Sequence, residues 1–201
     1  MTFRITPTSE LDAVNTLLSI IGEAPVNSLE NNTGVDVALA LQILNETNVE
    51  VQSRGWHFNT DINILVNLDD DSKLPLASNV VSCDVAKKSA TDINIVYRNG
   101  YVYNLDDHTD IFTSELYVDQ ITIQKFDQLP EAFRKLIVTR AGRKYQARVV
   151  GSTELAGFTE MDEQVATVDA ERIDASTADY NVLTGTHTTY SIINRPRRRT
   201  Y

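Results

Sequence analysis

The chain has 201 residues, a formal net charge of −10, 42% apolar residues and 23% charged ones. That length can bury a real core, and the composition is that of an ordinary globular protein. No run approaches the roughly 20 apolar residues that cross a bilayer, and one cysteine, Cys83, excludes an internal disulfide framework and fits a reducing compartment.

The charge is unevenly spread. Residues 1–72 hold eleven acids against Arg4 and Arg54, a balance of −9. The last twelve residues hold four arginines and no acid, so everything before them sums to −14. Such a body repels nucleic acid, and only the tail is suited to touching something acidic. The N-terminal "MTFRITPTSELDAV" has no basic stretch followed by an apolar run, so no leader peptide is read there.

In chain order, Leu11, Val14, Leu17, Leu18 and Ile21 fall at helical spacing, with Ser9 and Asp12 placed as a capping pair. Gly22 and Pro25 close that segment. A second helix is predicted from about Asp36 to Ser53, with Val37, Leu41, Leu44 and Val51 on one face. It runs into "QSRGWHFN", residues 52–59, which holds the only tryptophan. That stretch reads as a structural anchor: Arg54 in the last turn of the helix, Gly55 as a left-handed cap, and Trp56 and Phe58 covering the helix end. Strand alternation would point His57 away from both.

From Phe58 to about Phe126 the period shifts towards two, and "DINILVNL", "NVVSCDVA", "INIVYRNGYVYNL" and "DQITIQKF" read as strands. Asn99-Gly100 is a strong type I′ hairpin signal, because both positions must accept positive φ. Helix returns after Pro130, with Phe133, Ile137, Ala141, Tyr145 and Val149 as its apolar stripe. Residues 130–149 carry six cations and one acid, +5, and residues 152–176 carry seven acids and one cation, −6. Two helices of opposite charge joined at Gly151 suggest an antiparallel pair. The expected fold class is α+β: a four-helix bundle from residues 1–56 and 128–183, an antiparallel β-domain inserted at 57–127, and an extended basic C-terminal tail at 184–201.

Chemical motifs are scarce. No glycine-rich phosphate loop, HExxH, CxxC or GxSxG occurs. "DDHTD", residues 106–110, lacks the spacing and glycine of a calcium loop. No catalytic, metal or cofactor residue is assigned. "RPRRR" could grip phosphate or carboxylate groups.

Four stretches carry a resemblance: "LLSIIGEAPVNSLE", "ILNETNVEVQSRGWHFN", "YRNGYVYN" and "LPEAFRKLIVTRAGRKYQARVVGS". In this order and spacing, over roughly residues 9–183, the chain resembles the tail tubular protein A family, the head-to-tail adaptors of short-tailed bacteriophages. The resemblance implies a structural virion protein, assembled in the host cytoplasm and resident in the tail. It implies a twelve-subunit ring joining the portal protein to the tail nozzle, of tail tubular protein B type, with viral DNA passing through without specific binding. It implies no enzyme, cofactor or membrane contact. Arg54, Gly55, Trp56 and Phe58 match the family's pattern at the helix-to-sheet junction, alongside Asn99 and Gly100 in the hairpin as structural anchors. A ring of this kind needs two complementary patches per subunit. The candidates are Arg140, Lys144 and Arg148 against the acidic first 72 residues, with Arg195, Arg197, Arg198 and Arg199 as further partner contacts. The alternatives are a tail-associated glycan hydrolase using two carboxylates and a DNA-binding module acting through "RPRRR".

Overall fold

The computed structural model describes residues 6–30, 34–89, 91, 93–149, 151 and 153–178, and in the last helix only the side chains from 160 onward. Two helices, α1 (Glu10–Ile20) and α2 (Val35–Gln52), precede five strands, β1 (Thr60–Val66), β2 (Val80–Val85), β3 (Ile95–Arg98), β4 (Tyr101–Asn104) and β5 (Leu116–Thr122). Two further helices follow, α3 (Glu131–Val149) and α4 (Thr153–Thr177). The α+β class expected from the sequence is what the chain adopts.

Local chemistry accounts for the helix ends. The Ser9 hydroxyl accepts from the Asp12 N–H at 3.1 Å, and the Asp12 carboxylate accepts from the Ser9 N–H at 3.0 Å, so two orphan donors are satisfied reciprocally. At the other end, Glu23 N–H donates to Leu18 O and Gly22 N–H to Ser19 O, a Schellman closure around a glycine at φ +81°. Pro130 stands just before α3, and its carbonyl accepts from Phe133 and Arg134.

Helices α1, α2 and α3 pack against one another, and α4 lies along α3. Their shared core contains Leu17, Leu18, Ile43, Leu44, Phe133, Ile137 and Tyr145, and α4 adds Ala166 and Ala170. Val149, expected on the buried stripe of α3, is 43% exposed at the last residue of that helix.

Strands β1, β5 and β2 form an antiparallel sheet in that spatial order, and β3 and β4 form a hairpin. A second core, with Val66, Leu74, Cys83, Ile95, Val102 and Val118, lies between them. β5 begins at Leu116 and ends at Thr122, earlier at both ends than the expected "DQITIQKF". Phe126 instead serves the helical core from a 3-10 turn at Phe126–Gln128. β1 carries an irregularity between Asp61 and Ile64, where Asn63 sits at φ +56° and donates its N–H to the Asp119 carboxylate at 2.8 Å.

A buried polar network joins the two cores. The Gln52 amide, fully buried, donates to Asn48 Oδ1 at 2.8 Å and to Gln124 O at 2.9 Å. Its carbonyl accepts from Gln124 N–H at 2.8 Å. Asn59 donates to Gln52 O and Thr122 O, both at 2.9 Å. These bonds satisfy backbone groups where helix gives way to strand, and they fix β1 and β5 to the end of α2. Arg134, 9% exposed, performs a similar task with three carbonyls, those of Leu129, Thr8 and Asp127.

Candidate interaction surfaces

The junction residues lie where helix α2 gives way to the strands. Trp56 is buried, edge-on to Phe133 with ring centroids 4.9 Å apart, and its indole N–H donates to Val51 O at 2.6 Å. Phe58 packs on the same Phe133 at 4.6 Å. Gly55 adopts φ +75°, and a Cβ there would lie 2.7 Å from Ile121 Cδ1, so both backbone and space demand glycine. Two details differ from expectation. His57–Asn59 form a 3-10 turn rather than the start of a strand, because Asn59 Oδ1 accepts the Trp56 N–H at 2.8 Å and folds the chain back. Arg54 lies beyond the end of α2 and is exposed. It stacks 4.8 Å from the Trp56 ring centre and pairs with Glu171 of α4 at 2.8 Å. Asn99 and Gly100 take φ +54° and +88° between paired β3 and β4, as a type I′ hairpin requires.

The cationic residues of α3 find their first partners inside the chain. Arg140 bonds Glu163 of α4 at 2.6 Å and Glu50 of α2 at 3.4 Å, and Arg143 bonds the other oxygen of Glu163 at 2.6 Å. Lys144 also pairs with Glu50, and Arg148 with Glu46 at 3.3 Å. Burial acts to raise the Glu163 carboxyl, but hydrogen bonds from Arg143 and Arg140 outweigh it and hold the group below the ordinary glutamate value. The electrostatic match between α3 and the acidic helix after it is therefore realised within one subunit. Arg140 and Lys144 retain 21% and 28% side-chain exposure, whereas Arg148 retains 50%. Arg195, Arg197, Arg198 and Arg199 lie outside the described residues.

Two surfaces escaped the reading of the sequence. On α4, Met161, Val165 and Val168 are 67%, 56% and 63% exposed and share one face at i, i+4 and i+7. The opposite side of that helix buries Ala166 and Ala170, so α4 is apolar on two sides. That double pattern was the available signal. On β1, the outer strand of its sheet, Ile62, Ile64 and Leu65 are 65%, 39% and 39% exposed. An open groove beside them is lined by Ile64, Leu65, Leu68, Pro75 and Leu76.

Neither surface has the constellation of an active site. The depression beside α4 places Glu160 and Glu163 with Arg143, but both oxygens of Glu163 are occupied by arginines. Cys83 is buried, and burial followed by the charge of Asp84 pushes its thiol up to about 11, the opposite of an activated nucleophile. Among the described residues no cluster of His, Cys, Asp or Glu suits a metal ion, and no helix is long and apolar enough to cross a membrane.

A search of curated proteins finds no match. Comparison with known families matches residues 11–180 to the family described as Tail tubular protein. That span takes in both cores, the junction between them and nearly all the described residues, so the chain belongs to the tail tubular protein family, structural proteins of the bacteriophage tail.

Proposed function

We propose that the protein is the adaptor ring of a short tail, joining the portal protein to the tail nozzle and lining part of the path along which DNA leaves. The observation that carries this reading is the doubly apolar α4. A helix that packs one face on α3 and leaves Met161, Val165 and Val168 in solvent is suited to a second protein surface. A closed ring uses heterologous contacts, in which one patch of each subunit meets a different patch of the next. The exposed stripe of α4 supplies one such patch. Arg140, Lys144 and Arg148 serve the ring by holding α2, α3 and α4 as one body, with Arg148 retaining surface for an outside partner.

Charge supports the path for DNA. Twelve copies of a chain at −10 carry roughly −120, and an acidic wall repels a polyanion instead of retaining it. The test is the native mass of the full chain, alone and after mixing with the portal ring of the same phage. A ring of about twelve subunits, or a monomer that adds about twelve copies to the portal, is expected. The double variant Met161→Asp with Val165→Asp should remain folded and lose that assembly. A monomer that ignores the portal would overturn the proposal and direct attention to glycan cleavage.

A further inference from the structure

We infer that β1 and the groove beside it bind an extended strand of a different protein, one with alternating apolar side chains and lysine or arginine just beyond them. The inference does not rest on the proposed ring or on the stripe of α4.

β1 pairs with β5 along one side. Apart from that ladder, residues 61–68 share no backbone hydrogen bond with another described segment. The N–H and C=O groups that face away from β5 are thus a template for one more strand. Pairing becomes regular from Ile64, beyond the irregularity held by Asn63 and Asp119. Ile64–Asn67, about 13 Å of chain, is the length on which a visiting strand can bond. Ile62, Ile64 and Leu65 add exposed apolar surface along the same strand.

Beside this edge lies an open groove of about 440 Å³, lined by Ile64, Leu65, Leu68, Pro75, Leu76 and Gln120. Its far wall is fixed before anything binds. Leu76 N–H donates to Gly100 O at 2.8 Å, and Pro75 bridges to Tyr101, so the β3–β4 hairpin holds that wall in place. A strand added to β1 sends alternate side chains to one face, where Leu68, Pro75 and Leu76 offer them apolar contact. A helix satisfies its own backbone groups and leaves the edge of β1 unused.

Charge selects the occupant. Asp61 stands at one end of β1, and Asp69, Asp70 and Asp71 lie just past the other. Asp69 accepts from the N–H groups of Asp71 and Lys73, whereas Asp70 and Asp71 are exposed. Lys73 is engaged by Asp110 at 2.7 Å, so both ends stay acidic. Two copies of β1 laid edge to edge would set acid beside acid in either direction, which disfavours a second copy. A strand with cations at its ends turns the same carboxylates into attraction.

The probe is a capped peptide, Lys-Arg-Val-Thr-Val-Thr-Val-Arg-Lys, titrated into the full chain at low salt. Among residues 64–68, amides facing away from β5 should exchange about tenfold or more slowly at saturation, with α3 unchanged. Asp70→Lys with Asp71→Lys should weaken binding about tenfold or more. The Met161→Asp, Val165→Asp variant should bind the peptide as the parent chain does, whatever becomes of the ring. A peptide with Pro-Pro in place of the central Val-Thr should not bind, because it cannot donate to β1. No slowing at millimolar peptide would overturn the inference, as would equal binding of the Pro-Pro peptide or of one with glutamate at its ends. The same amides already protected in the dilute free chain would overturn it, because the edge is then covered within the chain. Protection that grows with protein concentration would also overturn it and assign the edge to a second copy.

Discussion

Replacing Gln52 with Leu tests whether the polar network holds the two cores together. The substitution keeps approximate volume and removes three hydrogen bonds, two with Gln124 and one with Asn48. The Gln124 N–H, part-buried, then has no protein partner, at a cost of up to about 1–3 kcal/mol. Gln124 O keeps only the Asn48 amide at 3.3 Å, a long bond, so about 0.5–1 kcal/mol is lost there. The added apolar surface of Leu returns roughly 1 kcal/mol. The net expectation is a loss of about 1–3 kcal/mol, seen as a lower urea midpoint at unchanged slope and a melting temperature lower by roughly 2–12 °C. Asn48→Ala should cost less, because Gln52 keeps both bonds to Gln124. A Gln52→Leu variant within 0.5 kcal/mol of the parent, or an Asn48→Ala variant that loses more, would refute the account.

Gly55→Ala should destabilise by about 1–3 kcal/mol, from positive φ and the contact with Ile121, and Ile121→Ala should relieve only the contact in a double-variant cycle. Glu163 has a folded-state pKa below its unfolded value of 4.5, so its contribution is present above that pH and is lost as pH falls through the folded value. Glu163→Gln should therefore show a shallower loss of stability between about pH 5 and 3 in urea titrations, and an unchanged slope would refute the role of its arginines. Cys83, with its thiol near 11 rather than 9.0, should react with iodoacetamide at pH 8 about a hundredfold slower than in the urea-unfolded chain.

Much of the fold was legible because short-range chemistry dictates it. The Ser9–Asp12 box, the Asn99-Gly100 turn and the glycine at 55 each demand a backbone conformation that few residues supply. What failed to read were cases in which a distant group decides. Asn59 turns residues 57–59 into a helical turn by accepting from Trp56, and alternation alone expected a strand. β5 starts at Leu116 because β1 offers it Val66 as a partner, which its own sequence does not reveal. The candidate surfaces were less legible still. The cations of α3 drew attention by their sign, yet Glu46, Glu50 and Glu163 engage them in the same subunit. The exposed Met161, Val165 and Val168 were hidden among other apolar residues of a helix that also buries alanines.

Among the described residues the chain passes from helices into strands once and returns to helices once. Residues 59–60 lead in and residues 122–123 lead out, and Thr60 stands opposite Ile121 in adjacent strands, about 5 Å apart. A unit whose two ends nearly touch behaves as a cassette. Loops between Val66 and Leu116 can lengthen, shorten or change sequence without altering how the helices meet, because no other covalent crossing transmits the change. A change of length in an outer loop is thus expected to leave the packing of the helical core in place.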